Sequence, residues 1–550
     1  MDTSRRSGSS LQARPVELAG LTLVVCVGLM SILLAGPGYV ANDGAQYLST
    51  IDQLLAGNGI RTSTIYYEVQ AQFGMPALQT VWPPGLPLLA AGVALLTGLS
   101  GLHAVALLSA VAHCGTAVAI YWLCARLLAG DRVSAVVIAV AYVLYVPALA
   151  LTIEVLSEPL FIAGLVAGAC LLHAGLTSQS GSAQPERDRL ALFAGASLCV
   201  GLACTFRYLG VAFVGSLGLV AILQVVRGQM SPASIRAGIA LVAPAVLVVA
   251  LLLGRNYLIT GRLTGGPEGP RGLEVGEIVQ QSRWAIQILL GDTRFWYGKL
   301  LVAFLVLAMG GWVIKRLSAQ DWGAYLRRDE RLGVAIFAVV GCAATVLLLL
   351  MMALRKTGLM VEARYLVPCV PLMLVAVAAL WPRDDAAAAA PDGIGRWWRG
   401  AAIASVALVT CGYLAAFSAF VREGAYPARI EAILSQKVGS ASARDLLRAS
   451  ATTKSPVMSN QSQALHVVLR RPTLGIAERR LTAREWSAED VRRQAINFGV
   501  EYVVVFPTLP GGNPAADEDY ILRASRSGAG GFETVHRSAD LHILRPVQVR

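Results

Sequence analysis

The feature that most constrains this chain is a series of near-continuous apolar runs, each long enough to cross a lipid bilayer. A transmembrane helix needs about 20 predominantly apolar residues. The chain is therefore predicted to be a polytopic, mainly α-helical membrane protein, and its mean hydropathy of +0.59 agrees with this class. Eleven such runs occur, at about 17–36, 103–125, 132–151, 159–177, 190–206, 208–226, 236–254, 298–314, 332–353, 365–381 and 400–420.

A twelfth apolar segment, PPGLPLLAAGVALLTGLSG at 83–101, is short, rich in Gly and opened by prolines. If it crossed the membrane, every later loop would change sides, and Arg pairs such as Arg126 with Arg132 would face outward. Cytoplasmic loops carry the excess of Lys and Arg. We therefore predict eleven spans plus one surface or re-entrant helix, with residues 1–16 in the cytoplasm and the C-terminal region outside.

The sequence divides into a membrane domain at 17–420 and a different kind of domain at 421–550. The membrane domain includes a long outer segment at 37–102. In the C-terminal part, apolar runs shrink to strand length (YVVVF at 502–506, LHIL at 541–544) and alternate with helical patterns such as SAEDVRRQAINFG, which Ser487 can cap and Gly499 can end. This pattern predicts a small extracytoplasmic α/β domain.

Ionisable residues are concentrated near the membrane in the segments assigned to the outer side. Such groups are costly at membrane depth and need a partner or a function. An outward-facing cavity with carboxylates on one side and arginines on the other would bind a phosphate and still offer a general base. The candidates are Asp43, Glu154, Glu158, Arg207, Arg255, Arg355, Lys356, Glu362 and Arg364.

The formal net charge of +12 does not indicate nucleic acid as a partner, because a polytopic protein uses cytoplasmic Arg for orientation. Membrane lipid head groups are the expected partners of this charge. The sequence contains no P-loop, no HExxH and no GxSxG motif, so the usual signals of nucleotide hydrolysis, zinc proteolysis and serine hydrolysis are missing.

Six segments, taken in order, resemble the motifs of type C glycosyltransferases, and most closely those of bacterial protein O-mannosyltransferases and aminoarabinose transferases. The segments are NDGAQYLSTIDQLLAGNGI, WPPGLPLLAAG, LSEPLFIAG, FRYLGVAFV, RNYLITGRLTGG and EARYLVPCVPLML. The resemblance covers about residues 15–420. It implies a multi-pass protein of the cell membrane that transfers a sugar on the outer face, with inversion, from a polyprenyl phosphate to a hydroxyl group.

The resemblance implies an undecaprenyl- or decaprenyl-phosphate sugar as the donor and no nucleotide sugar. It leaves the sugar open between hexose and pentose, and the acceptor open between protein, lipid A, an arabinogalactan-like polymer and another glycan. No cofactor is firmly implied by it, and a divalent cation is left open.

The resemblance also assigns roles to two acids. Asp43 corresponds to the general base that deprotonates the acceptor hydroxyl. Phosphate is a good leaving group, so one base can suffice without a general acid; the alternative is that Asp43 caps a helix. Glu158 corresponds to a second acid near the acceptor or a metal, with a helix-start role beside Pro159 as its alternative. Glu154 is a weaker candidate for the same position.

Arginines are the candidates for the donor phosphate, because a planar guanidinium suits bidentate contact with phosphate. The resemblance places Arg364 of the RYL motif near that phosphate. Arg207 and Arg255 are interpreted in the same way, and Lys356 is a secondary candidate. For Arg207, a side chain that snorkels to the membrane interface is the alternative.

Four further residues are predicted to contact substrate: Tyr47, Trp82, Asn256 and Tyr365. Tyr47 follows Asp43 by one helical turn, and Asn256 and Tyr365 adjoin two of the arginines. Trp82 is a candidate platform for a sugar or an acceptor. Anchoring at the membrane interface is the alternative for such aromatic residues.

Two other classes of protein compete with the enzyme. A transporter or flippase of a lipid-linked or small anionic substrate also uses intramembrane acids and bases. It would be expected to show inverted repeats and mid-span acids, and neither is visible in the sequence. A scaffold for envelope assembly is the third interpretation, and it predicts that Asp43 and Arg364 are dispensable.

Overall fold

The computed structural model describes residues 9–35, 40, 42–65, 68–178, 186–265, 273–289, 330–355, 361–380, 412, 414, 417–418, 455–469, 471–476, 487–506, 531–538 and 541–547. Helices α1 to α12 are Ser9–Ala35, Asn42–Leu55, Glu68–Ala71, Gly85–Thr97, Gly101–Leu127, Arg132–Val143, Val146–Ile153, Glu158–Thr177, Glu186–Cys204, Val211–Arg227, Pro232–Thr260 and Val275–Leu289. Helices α13 to α17 are Arg331–Leu354, Ala363–Leu366, Cys369–Leu380, Ser462–Leu469 and Ala488–Asn497, and a 3-10 turn, Tyr208–Gly210, precedes α10. Strands β1 to β8 are Arg61–Thr62, Thr64–Ile65, Ala77–Leu78, Val457–Ser459, Thr473–Gly475, Tyr502–Val505, Phe532–Arg537 and His542–Pro546.

Within the described residues, seven helical stretches are long and apolar enough to cross a membrane. They are Glu17–Leu34, Gly101–Leu127, Glu158–Thr177, Tyr208–Arg227, Pro232–Thr260, Arg331–Leu354 and Ala363–Leu380. Helices α6 and α7 are bent by 52° relative to each other and form an eighth if they are counted as one broken span. Each of the eight coincides with a predicted run, which confirms a multi-pass, mainly helical protein.

The predicted number of eleven spans is not confirmed. The run at 190–206 lies in α9, which packs between α8 and α11. Its first turn carries four charged residues, 186–189, so its apolar part falls short of the length that a span requires. The predicted span at 298–314 and nearly all of 400–420 lie outside the described residues.

The proline-rich segment forms the short helix α4. Its 13 residues span about 20 Å, against a hydrocarbon core of about 30 Å, so α4 is too short to cross a bilayer. One face packs on α2 and α5, whereas Leu88, Leu95 and Leu96 are exposed. An exposed leucine face fits the membrane interface, as expected for a surface helix.

The core of the bundle is held together by large buried side chains from different spans. Phe161 of α8, Phe213 of α10 and Phe337 of α13 are each buried. The rings of Phe161 and Phe213 are 6.5 Å apart, and those of Phe213 and Phe337 are 5.7 Å apart. Aromatic pairs at these separations add to the packing energy and fix the three helices relative to one another.

The C-terminal region contributes five strands to a six-stranded sheet of order β2-β5-β4-β6-β8-β7. The first four strands are parallel, and β8 and β7 are antiparallel to their neighbours. Helix α16 connects β4 to β5 and α17 precedes β6, which makes a small α/β unit as predicted. Ser487 caps α17 in a capping box with Asp490, and Gly499, with a φ of +61°, follows its end.

One edge strand of this sheet comes from the 37–102 segment and not from residues 421–550. Thr64 of β2 is paired with Thr473 of β5, and the Thr473 amide donates to the Ser63 carbonyl at 3.0 Å. The Ser63 amide in turn donates to Ser49 Oγ of α2 at 2.7 Å. The sheet is therefore joined directly to α2, against which α16 also packs.

The direction of β2 orients the whole sheet relative to α2. After β2 the chain reaches Gln70 of α3, whose side chain contacts Gln46 near the start of α2. Strands β2, β5, β4 and β6 are parallel, so their carboxyl ends share one edge. The segment that follows the carboxyl end of β2 therefore lies toward the beginning of α2, where Asp43 lies.

Candidate active site

Asp43 lies in the first turn of α2, one residue after the helix begins. Its side chain is 8% exposed, and Oδ2 is 2.6 Å from Arg364 Nη1 and 3.9 Å from Arg207 Nη2. The helix macrodipole favours a carboxylate at this position. The aspartate is thus buried between two arginines that come from distant parts of the sequence.

Glu158 is the first residue of α8, and its Oε1 accepts a hydrogen bond from Arg207 Nη2. Arg207 lies in the break between α9 and the 3-10 turn, with an extended backbone. Both side chains are buried, so Arg207 does not snorkel to an interface. Within the described part of the chain, Glu158 Oε2 and Arg207 Nε have no hydrogen-bond partner.

Arg364 belongs to α14 and completes what we call the carboxylate–arginine cluster, formed by Asp43, Glu158, Arg207 and Arg364. Its Nη2 donates to the Tyr365 hydroxyl at 3.2 Å, and its Nε is 2.5 Å from Glu362 Oε2. Glu362 was a polar candidate without an assigned role, and its position two residues before the RYL motif is the signal that could have selected it.

Burial and nearby charge determine the protonation of this region. Desolvation opposes the charged form of Arg207, but the Glu158 and Asp43 carboxylates raise its pKa, so Arg207 stays a cation. Burial also raises the pKa of Tyr47, which remains a neutral phenol. Burial raises the pKa of Glu362 as well, and Arg364 only partly offsets that shift.

Aromatic side chains line the carboxylate–arginine cluster. The Tyr47 hydroxyl is 3.2 Å from Ser157 Oγ, beside the start of α8. The guanidinium carbon of Arg207 is 5.7 Å from the Trp82 ring and 5.9 Å from the Tyr365 ring. These distances allow cation–π attraction. Three of the four residues predicted to contact substrate therefore lie at the cluster.

Arg255 and Asn256 occupy a different place from the one expected of direct ligands. Arg255 Nη2 donates to the Gln79 carbonyl at 3.1 Å, and Asn256 Nδ2 donates to the Tyr208 hydroxyl at 2.7 Å. The Tyr208 hydroxyl donates to the Thr80 carbonyl. These two residues of α11 thus fix the 79–80 backbone that leads to Trp82. Lys356 lies outside the described residues.

The sequence interpretation missed a chain of buried carboxamides beside the cluster. Gln46, Gln70 and Gln79 are fully buried. Gln70 Nε2 is 3.1 Å from Gln79 Oε1, and Gln46 Nε2 is 3.4 Å from Gln70 Oε1. Gln46 shares a helix face with Asp43, since residues three apart are neighbours on a helix. That spacing was the available signal.

Two glycines allow the close contacts that assemble the cluster. A Cβ atom on Gly44 would lie 2.6 Å from the Val155 carbonyl oxygen, and one on Gly85 would lie 2.5 Å from Thr205 Oγ1. The first contact sets Asp43 beside the turn that precedes Glu158. The second sets the segment after Trp82 against the residues before Arg207. Among the described residues, no group of three or more His, Cys, Asp or Glu side chains could hold a metal ion.

These features define a class: a polytopic membrane protein with a buried cluster of acids and arginines where the helical bundle meets an α/β sheet. No family model matches the chain, and no curated protein matches its sequence. Solved structures do match. ArnT from Cupriavidus metallidurans bound to undecaprenyl phosphate has a TM-score of 0.54 and 14% identity, over 96% of this chain and 97% of that chain.

Two further structures share the architecture. Arabinofuranosyltransferase AftD from Mycobacteria has a TM-score of 0.52 and 14% identity, over 96% of this chain but 40% of its own. The Archaeoglobus fulgidus oligosaccharyltransferase tethered with an acceptor peptide has a TM-score of 0.50 and 12% identity, over 89% of this chain and 69% of its own. The protein has the fold of the type C membrane glycosyltransferases, as its six motifs predicted.

Proposed function

We propose that the protein is a glycosyltransferase that moves a sugar from a polyprenyl-phosphate donor to a hydroxyl acceptor. The observation that carries the proposal is the position of Asp43, a buried carboxylate within reach of Arg364 and Arg207. A base next to two guanidinium groups is what displacement of a phosphate at an anomeric carbon requires. The fold shared with ArnT bound to undecaprenyl phosphate supports the lipid donor.

The arginines would bind the donor phosphate. Arg207 Nε is buried and has no partner among the described residues, so this N–H can donate to a phosphate oxygen without breaking an existing bond. Arg364 would exchange part of its contact with Asp43 for the phosphate. Glu158 would hold Arg207 through Oε1, which makes it a positioning residue for the phosphate site.

Transfer would then be a single displacement. The acceptor oxygen forms a bond to the anomeric carbon, its proton passes to the Asp43 carboxylate, and the bond from the anomeric carbon to the phosphate oxygen breaks. The electron pair leaves with the polyprenyl phosphate, whose added negative charge faces Arg207 and Arg364. Attack opposite the leaving group inverts the anomeric centre.

We place the site on the outer face of the cell membrane, with the N-terminus in the cytoplasm. Helix α5 begins beside α2, because a Cβ on Gly101 would meet Ile51. Its other end, with Arg126, and the start of α6, with Arg132, would therefore lie at the opposite membrane surface. Arginines in the loop opposite the site are what an outward-facing active site predicts, because cytoplasmic loops carry the excess of Lys and Arg. The carboxyl edge of the sheet would shape the acceptor path.

Purified full-length protein in vesicles tests this function. Radiolabelled undecaprenyl phosphates carrying mannose, arabinofuranose or 4-amino-arabinose would be supplied with protein, lipid A and glycan acceptors. Release of the label from the lipid to an acceptor is the expected result. Movement of intact donor across the bilayer without release would instead show a flippase. If no donor is either transferred or moved across the bilayer, both functions are refuted.

The two neighbouring glutamates are expected to differ in importance. Glu158→Gln should lower the transfer rate by at least about tenfold, because it removes a charged partner of buried Arg207. Glu154→Gln should have a smaller effect, since Glu154 lies at the end of α7 and is less buried. Initial rates at saturating donor would rank them, and the reverse ranking would mean that the other carboxylate serves the site.

Gly44→Ala should impair transfer without removing any functional group. The added methyl group would overlap the Val155 carbonyl, so α2 must shift and carry Asp43 with it. A displacement of about 1 Å at a reacting group can lower the rate by about 10²-fold. Gly92→Ala in α4 is the matched control, because its added methyl group meets nothing within 4 Å. Equal rates for the two variants would contradict the close-packing argument.

A further inference from the structure

Four buried polar atoms around the Trp82 side of the cluster have no hydrogen-bond partner among the described residues. They are Gln79 Nε2, Trp82 Nε1, Arg207 Nε and Glu158 Oε2. Buried polar atoms are almost always paired in folded proteins, so each exception calls for an explanation. The Trp82 ring contacts the Arg207 guanidinium, which in turn is bonded to Glu158. Trp82, Arg207 and Glu158 are thus neighbours, and Gln79 precedes Trp82 by three residues on the segment that leads to the cluster.

Gln79 is held in place by both its backbone and its side chain. Its carbonyl accepts a hydrogen bond from Arg255, and its side-chain oxygen accepts one from Gln70 Nε2 at 3.1 Å. Gln70 is linked in turn to Gln46. The side-chain oxygen is therefore turned toward Gln70 and the amino group is turned away from it. A donor held in this way is preorganised for a ligand.

The unpaired groups match a sugar ring better than a phosphate. The unpaired groups comprise three N–H donors, one of them on the Trp82 indole, and one carboxylate oxygen. A sugar ring offers hydroxyl groups that both accept and donate, as well as apolar C–H faces. A phosphate would be repelled by the unpaired oxygen of Glu158. The N–H of Arg207 is already assigned to the phosphate, which leaves Gln79, Trp82 and Glu158 for hydroxyl groups.

We propose that Gln79 and Trp82 form the subsite for the sugar ring of the donor, with Gln79 Nε2 and Trp82 Nε1 donating to sugar hydroxyls and Glu158 Oε2 accepting from one. This subsite rests on the proposed function. The donor sugar is favoured over the acceptor because Trp82 lies on Arg207, and the anomeric carbon is joined to the phosphate through one oxygen. Gln46 and Gln70 are positioning residues that orient the Gln79 carboxamide.

Binding to two lipids tests the subsite. The purified full chain in nanodiscs would be titrated with undecaprenyl phosphate and with the undecaprenyl-phosphate sugar that the wild-type protein binds most tightly. Gln79→Met keeps the length of the side chain and removes the carboxamide, with both its N–H and the oxygen that accepts from Gln70. It should weaken binding of the sugar-bearing lipid by about 5- to 10-fold and leave binding of undecaprenyl phosphate within about twofold.

Two variants complete the design. Trp82→Phe retains a ring over Arg207 but loses the N–H, and it should show the same selective weakening even if Gln79→Met does not fold. Gln53→Met is the matched control, because the Gln53 carboxamide is already bonded to Ser63 and Asn58. It should change neither affinity.

The outcomes separate the subsite from the proposed function. Equal weakening for both lipids would assign these residues to the phosphate, and an unchanged donor affinity with a raised KM for acceptor would assign them to the acceptor. Either result overturns the subsite. Wild-type affinity of both variants for both lipids overturns it as well. Failure of the wild-type protein to bind either lipid would overturn the proposed function itself.

Discussion

Asp43→Asn is expected to lower the turnover of sugar transfer by about 10³-fold, the range of a lost general base. The amide is nearly the same size as the carboxylate and can still accept a hydrogen bond from Arg364, but it cannot take the acceptor proton at neutral pH. Affinity for undecaprenyl phosphate should be retained or increased, because removal of the carboxylate frees Arg364 and Arg207 for the phosphate. Radiolabelled sugar transfer and lipid binding would be measured on the same preparation.

Asp52→Asn is the control for this variant, since Asp52 is an exposed aspartate of the same helix. It should transfer sugar at the wild-type rate. An Asp43→Asn protein with more than about a tenth of the wild-type turnover would remove Asp43 from the role of general base. The cluster would then be a structural ion-pair network, as the scaffold interpretation requires.

Apolar periodicity and motif order predict the parts of this protein that depend on local sequence. Bilayer-length runs locate the spans because the requirement for about 20 apolar residues is local. They are less reliable for α9, where four charged residues at the start shorten the apolar part of a helix that still packs inside the bundle. The apolar length of 132–151 does not reveal the bend between α6 and α7, although Pro147 at the start of α7 is a local signal for a helix break.

Long-range pairing accounts for what the sequence interpretation missed. Strand β2 has two residues, too few for a periodic signal, and it exists because it pairs with β5, about 400 positions later. Gln70 and Gln79 have no local signature, because their roles follow from contacts with Gln46 across the fold.

Arg255 also shows that local sequence does not determine long-range contacts. Its motif predicts a phosphate ligand, whereas its position near the end of α11 directs the guanidinium to the Gln79 carbonyl. A motif identifies the residue type at a site, but the neighbouring backbone determines which atom that residue contacts. The geometry gives Arg255 an indirect connection to the site, through the segment that carries Gln79 and Trp82.

Arg364→Met is expected to raise the KM for the lipid donor by about 10²-fold, with a smaller change in turnover, because a hydrogen bond to a charged group contributes about 1.5–3 kcal/mol. Arg364→Lys should recover only part of the affinity, since an ammonium group cannot form the planar contact of a guanidinium. Arg236→Met is the control. Arg236 is an exposed arginine paired with Glu186 at 3.0 Å, and its loss should leave the donor dependence unchanged.

The same variant makes a separate prediction for stability. Arg364→Met leaves the buried Asp43 carboxylate with only Arg207, at 3.9 Å, as a charged partner among the described residues, and an underpaired buried charge is destabilising. The melting temperature should therefore fall, and adding Asp43→Asn should restore part of it, because the double variant no longer contains the underpaired Asp43 carboxylate. If the fall in melting temperature of the double variant equals or exceeds the sum of the falls of the two single variants, the pair is not coupled. Together with an unchanged donor KM for Arg364→Met, that result would mean that Arg364 neither binds the phosphate nor holds the base.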